Sequence, residues 1–236
     1  MAEISKTADQ ALAVLIELSE NGPMNAADLS RSLELNRTVV HRLLSTLHQR
    51  GFIMRGSAGF TLAPLLVRMA DRVQPDLRAA AAPVMRDLAR ASGETVVLHT
   101  ADGDEAVVLE QVVGTRHVVR VEHRTGSRHP LTKAASGRAL LAFMDEAAIS
   151  RILKKATGAD VLRQQLEGVR QLGYAVSHDE LQQGVHGIAV SLRDRQRVVA
   201  SLAVLVPATR ASDVAGHLAA LKDAASRIEA SCYGHA

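Results

Sequence analysis

The residues best suited to chemistry in this 236-residue chain fall into three groups, each pointing to different work. Arg37, Thr38, His41 and Arg42 crowd into one short run, with Arg55 and Ser57 soon after. Arginine can donate in pairs to a guanine edge, and threonine can meet a thymine methyl or a phosphate, so this run suits DNA. His117, His123 and His129 form a second group, and the even spacing of the first two would put them on one face of a strand. Three imidazoles with no placed carboxylate fall short of a metal site, and no metal is expected. Asp179 and Glu180 are paired acids of the kind that exchange protons, although such pairs in loops commonly cap helices or face water. The chain lacks G-x-G-x-x-G, a P-loop, G-x-S-x-G and H-E-x-x-H. No catalytic residue and no cofactor is therefore assigned. An enzyme and a non-specific architectural DNA-binding protein remain as alternatives.

The elements that must position the arginine run are legible. From Asn25 to Gly51 the chain reads as two helices joined by a tight turn. Asn25 stands where an N-cap belongs, and it is included with the DNA-facing residues. Ala26, Ala27, Leu29 and Leu33 follow at helical spacing; Glu34-Leu35-Asn36 breaks the pattern, and Asn36 or Thr38 can cap the next helix. In that helix Val39, Val40, Leu43, Leu44 and Leu47 make the apolar stripe, leaving Arg37, Thr38, His41, Arg42, Ser45 and His48 on the other side. Gly51 suits a left-handed C-cap. Phe52–Met54, a glycine-bearing turn and Phe60–Leu62 then read as a hairpin. Helix–turn–helix followed by a hairpin is a winged helix, with Arg55 on the wing.

Composition sets the bounds around this reading. With 47% hydrophobic residues, cores can form, but 2% aromatics and no Trp make them aliphatic. A net charge of +3 is too mild for binding by bulk charge, so DNA contact must come from one local face. Cys232 is the only cysteine, which excludes disulfides within the chain and cysteine–zinc clusters. No leader is expected in the polar Met1–Lys6, and no apolar run is long enough to span a bilayer, so a cytoplasmic protein without membrane contact is expected.

The remaining chain sorts into elements. Lys6–Glu20 reads as a first helix with an apolar face of Ala8, Ala11, Leu12, Leu15, Ile16 and Leu18. Pro64–Val73 is a helix, interrupted at Gln74-Pro75 because a proline disfavours helix in the residue before it. Asp76–Ala91 resumes as helix, kinked or restarted at Pro83. Strands are expected at 95–100, 106–113 and 117–122, helices at 135–143, 145–154 and 160–172, strands at 187–192 and 198–206, and a closing helix at 211–230. The order implies an α+β domain with an antiparallel sheet, joined to a mostly α N-terminal domain. The boundaries are 1–63 for the winged helix-turn-helix domain, 64–75 for a helical linker, and 76–236 for the second domain.

Several motifs in order then resemble one family. Pro130–Phe143, PLTKAASGRALLAF, is similar to the hallmark run of the IclR family of bacterial transcriptional regulators. Gly173-Tyr174-Ala175, Asp179-Glu180, Gly184-Val185, Ile188-Ala189-Val190, Pro207 and Arg210 match its later signatures, and the likeness covers nearly the whole chain. The resemblance implies a regulator, read first as a repressor with activation left open, whose winged helices, in a homodimer or a dimer of dimers, read a pseudo-palindromic double-stranded operator. It implies also a GAF-like C-terminal domain that binds a small-molecule effector.

What the resemblance implies for the effector can be placed on residues. The helix opening at Ala135, Ser136 and Gly137 would hold a carboxylate on its free N–H groups; capping by Ser136 or Thr132 is the plainer reading. Opposite, where the family often has an acid, a cysteine and two serines, this chain has Ser177, Gly187, Ala203 and Leu205, with Ile188 beside them. An apolar wall with few donors would suit a larger, partly hydrophobic carboxylate, an aromatic one included, rather than glyoxylate. On the DNA side, Arg37→Ala or Arg42→Ala should weaken operator binding far more than Arg210→Ala.

Overall fold

Local chemistry builds the first element group one turn at a time in the computed structural model, which describes residues 4–234. The leader reading of Met1–Lys6 lies partly outside those residues. Contacts divide the chain into one unit ending at Pro75 and a second beginning at Asp76.

In the first unit, α1 (Lys6–Asn21), α2 (Ala26–Ser32) and α3 (Arg37–Gln49) precede a hairpin of β1 (Ile53–Gly56) and β2 (Gly59–Leu62). Asn25 caps α2 by accepting from the N–H groups of Ala27 and Asp28, each at 2.9 Å. Asn36, not Thr38, caps α3, taking the Thr38 N–H at 2.9 Å. Between them Glu34 turns the chain with φ +52, and the Leu35 N–H closes on the Ser30 carbonyl at 3.0 Å. Val40, Leu43, Leu44 and Leu47 of α3 are buried with Val14, Leu18, Leu29 and Ile53 in one aliphatic core. Burying each such side chain contributes roughly 1.5–3 kcal/mol, more than the local cost of either turn. Gly51 ends α3 at φ +77, and the Phe52 N–H returns to the Leu47 carbonyl at 2.9 Å.

The face expected on α1 needs correction. Val14 and Leu18 are buried, whereas Leu12 and Ile16 are each 59% exposed. The apolar arc of this helix is wider than the surface it covers, so the two residues on its flank stay in solvent.

The second unit opens after α4 (Leu65–Ala70) with α5 (Pro75–Ser92), which carries Pro83 inside one continuous helix rather than restarting there. Gln74 leaves the helical region with φ +44 just before Pro75. A six-stranded antiparallel sheet follows, in the order β5-β4-β3-β8-β7-β6. Its strands are β3 (Thr95–Asp102), β4 (Glu105–Val112), β5 (Arg128–Pro130), β6 (Ala175–His178), β7 (Val185–Asp194) and β8 (Arg197–Pro207). α6 (Ala134–Leu141), α7 (Glu146–Leu153) and α8 (Ala159–Leu172) cover one face, and α5 with α9 (Leu218–Tyr233) the other. Side chains alternate between the two cores, so Ala203 and Leu205 face α6 while Leu202 and Val204 face α5 and α9.

Three expectations from periodicity fail here. Residues 117–122 form no strand, although they alternate like one. Side chains hold them instead: Thr95 Oγ1 donates to the Val121 carbonyl at 2.6 Å, and Arg210 donates to that of Val119 at 3.0 Å. The β4 edge they would need is taken by β5, which the sequence reading passed over. Residues 175–178 form strand β6, which is not among the expected strands, because the β7 edge supplies a partner. The closing helix begins only at Leu218, after a 3-10 segment over Ala208–His217.

Candidate DNA-reading face and effector cavity

Packing decides what α3 shows to solvent. With its four apolar residues buried, Arg37, Thr38, His41, Arg42, Ser45 and His48 are all exposed along the helix. Arg37 and Arg42 make no ion pair with any described carboxylate, so their donors are available. The wing turns through Ser57 and Ala58, both exposed, between the paired Gly56 and Gly59. Arg55 lies in β1 rather than in the turn, its guanidinium 5.9 Å from the Phe60 ring centroid. Gly59 has φ +129, and a Cβ there would stand 2.5 Å from the Met24 carbonyl oxygen; the wing is pinned against the chain that enters α2. Asn25 is committed to its cap, with Nδ2 also donating to Asp28 at 2.8 Å.

The second unit holds a cavity of about 430 Å³, counting its open mouth, between the sheet and the start of α6. Ala135 and Ser136 line it with Ser177, Gly187 and Leu205, so one site gathers these five expected residues. Gly187 and Leu205 are cross-strand partners. A Cβ at 187 would lie 3.1 Å from Leu205 Cδ2 and 3.2 Å from Ser177 Oγ, so the leucine occupies room that a larger residue at 187 would need.

Three expected residues fall elsewhere. Ile188 points to the opposite core, one step out of phase with Gly187. Ala203 is fully buried beneath the cavity among the α6–α8 side chains. Gly137 serves packing: a Cβ there would sit 2.8 Å from the Leu131 carbonyl oxygen. Neither Ser136 nor Thr132 caps α6. Ser136 Oγ instead lies 3.1 Å from His129 Nε2.

The wall expected to be apolar carries His99, His123 and His129. The histidine grouping is therefore regrouped: His117 sits 4.0 Å from Glu94, and His99, fully out of the sequence reading, takes its place. His99 and His129 meet edge to face with centroids 5.4 Å apart. Burial pushes the His99 imidazole well below its ordinary range, with His129 and His123 adding repulsion. Burial likewise lowers His123 and His129. The register could have found His99, since it shares a sheet face with Val97 and pairs with Ser201. Among the described residues no group of three His, Cys, Asp or Glu is arranged to hold a metal ion.

Glu180 lies across the cavity from this wall. Its carboxylate accepts from the Ala134 N–H at 2.8 Å and takes two hydrogen bonds from the buried Arg138, each 2.7 Å. Burial raises the Glu180 carboxyl, but the Arg138 hydrogen bond and charge outweigh it and hold the group below its usual range. One acid of the Asp179–Glu180 pair is thus an internal partner of α6, and the other accepts the Gly184 N–H at 2.6 Å. Arg210, likewise, grips the buried Glu94 with a second contact at 2.9 Å.

Comparison with known proteins extends both regions. The IclR helix-turn-helix family model matches residues 7–56, and the model of the bacterial transcriptional regulator IclR C-terminal domain matches residues 71–230. The HTH-type transcriptional regulator KipR of Bacillus subtilis is 30% identical over 216 residues, covering 85% of each chain. A crystal structure of an IclR-type transcriptional regulator from Alicyclobacillus acidocaldarius is 26% identical with a TM-score of 0.79, covering 98% of this chain and 100% of that one. An IclR homologue from Microbacterium hydrocarbonoxydans, solved with 4-hydroxybenzoate, shares the fold at a TM-score of 0.83 and 24% identity, over 98% of this chain and 100% of that one.

Proposed function

Because this chain belongs to the IclR family of bacterial transcriptional regulators, we propose that it is a cytoplasmic repressor of a pseudo-palindromic operator, controlled by a small, partly hydrophobic carboxylate. The family assignment sets the enzyme alternative aside, since its matched members are regulators of transcription. No helix among the described residues is long and apolar enough to cross a membrane.

The observation that carries the operator reading is the outward face of α3, where Arg37, Thr38, His41 and Arg42 are exposed above a fully apolar buried face. Helices of this kind place their N-terminal residues on base edges in the major groove, and paired subunits read half-sites about 34 Å apart. Pairing has a candidate surface in the exposed Leu12 and Ile16, one turn apart on α1. Arg55 and Ser57 on the wing reach phosphate in this reading, while Asn25 acts through its cap.

The effector reading rests on the cavity. Ala135 and Ser136 offer the N–H groups of the first turn of α6, and Leu205, Leu181 and Val185 supply apolar surface. An aromatic acid is the first candidate, supported by the 4-hydroxybenzoate held by the Microbacterium homologue.

A gel-shift titration against the DNA upstream of its own gene, at fixed salt, tests the whole. A competitor-resistant shift relieved by aromatic acids and not by glyoxylate is the expected result. No specific shift would overturn the operator reading, and relief by glyoxylate or pyruvate alone would overturn the ligand class.

A further inference from the structure

The cavity has a feature that a carboxylate site at a helix start does not need: three imidazoles along one wall, one of them with a ring nitrogen that no protein group partners. His99 is 2% exposed, lines the cavity, and its Nδ1 has no hydrogen-bond partner. An unpartnered buried polar atom costs roughly 1–3 kcal/mol, a cost that a bound group can remove.

Its neighbour His129 has its proton placed by geometry. Nδ1 lies 3.1 Å from the Pro130 carbonyl oxygen, which can only accept, so Nδ1 carries the hydrogen. In the neutral ring, Nε2 is then an acceptor, and the Ser136 hydroxyl 3.1 Å away must donate to it. Ser136 therefore turns a lone pair, not a proton, toward the cavity. Protonating His129 reverses this bond: Nε2–H donates to Ser136 Oγ, and the hydroxyl is freed to donate to a ligand oxygen.

We propose that the histidine wall makes this a proton-linked anion site, in which a carboxylate effector enters together with one solvent proton that is held by His129 and shared with His99 and His123. The proposal rests on the effector reading of the cavity above. Before an anion arrives, burial lowers the proton affinity of all three rings, and repulsion from His129 lowers His99 and His123 further. The anion supplies the missing counter-charge and raises their proton affinity. Of the other charged groups around the cluster, Glu105 on β4 raises the proton affinity of His129 but does not offset its burial, and it is shared with Arg128; Glu180 beyond β6 is engaged by Arg138. Ser201, opposite His99 on β8, is buried and uncharged.

Calorimetric titration of the full chain with benzoate, at pH 6, 7 and 8 and in two buffers of different ionisation enthalpy, tests this. Near pH 7 the expected uptake approaches one proton per benzoate, and affinity should fall by up to about tenfold per pH unit on the alkaline side. His129→Gln, whose amide nitrogen can donate permanently to Ser136, should bind benzoate with most of the pH dependence lost, the remainder coming from His99 and His123. Should that variant fold poorly, imidazole proton NMR of the unaltered chain gives the same answer: benzoate must raise the titration midpoint of at least one cavity histidine. Tight binding without proton uptake overturns the linkage and spares the effector site. No binding of benzoate, 4-hydroxybenzoate or pyruvate at any pH overturns both.

Discussion

The two functional regions use polar residues in opposite ways. On α3, Arg37, His41 and Arg42 face solvent and are spent on nothing inside the protein. In the cavity of the second unit and just behind it, His99, His129, Ser136, Glu180 and the Arg138 that holds Glu180 are buried or half-buried and mostly engaged with one another. An exposed donor costs little to keep and is free for a rigid, highly charged partner such as DNA. A buried polar group is costly to leave unpaired, so a site made mostly of paired groups can respond to binding by exchanging partners. The first arrangement suits recognition and the second suits control.

Removing one member of a buried pair is the hardest test of this contrast. Arg138→Ala strands the Glu180 carboxylate beside α6, and should cost the second unit about 3 kcal/mol. Thermal unfolding followed by hydrogen exchange should show that loss in residues beyond Asp76 and little change in α3. An equal loss in both units would break the contrast. The exposed counterpart comes next. Arg42→Ala should weaken operator binding by about 1–3 kcal/mol, with relaxed preference at one base position, while leaving stability unchanged. Arg210→Ala is a poor control, because it leaves the buried Glu94 without its partner. Arg163→Ala on the exposed side of α8 is the better one, and equal gel-shift losses for Arg42 and Arg163 would remove the recognition face from α3.

A smaller effect separates two roles at one residue. Asn25→Ala should lower the stability of the first unit by about 1 kcal/mol through loss of its cap. Its operator preference should be unchanged; a changed preference, read by selection from a randomised half-site, would make Asn25 a base or phosphate contact after all. The smallest effect is the response to acid. Unfolded imidazoles take up protons from about pH 6.5 downward, whereas the buried His99, His123 and His129 resist until lower pH. The unfolded state then binds more protons, so stability is lost as pH falls through that window. Melting curves between pH 7.5 and 5.5 should show the second unit softening with acid, and the slope should shrink in His99→Phe.

The first unit was largely legible because its determinants lie within a few residues of each other. Asn36 caps α3 across two residues, Gly51 closes it across three, and the stripe from Val40 to Leu47 repeats every turn. Where longer contacts decide, periodicity misled. The segment 117–122 alternates like a strand but finds no partner, and 175–178 becomes one because β7 offers an edge. Ile188 is adjacent to Gly187 in the chain yet belongs to the other core, a difference set by strand phase alone.

The sequence by itself determined the exposed and buried faces of α3, the helix caps and, through the order of its motifs, the family. These follow from side chains interacting across one or two helical turns, where spacing and geometry are nearly the same thing. Only the tertiary structure brought His99 on β3 to His129 on β5 and Ser136 on α6, and turned Glu180 from a loop acid into the partner of Arg138. Those meetings depend on strand order and register across more than a hundred residues, from His99 to Leu205. No local periodicity encodes them, because each strand pattern is compatible with many neighbours and the choice among them is made by the packing of the whole sheet.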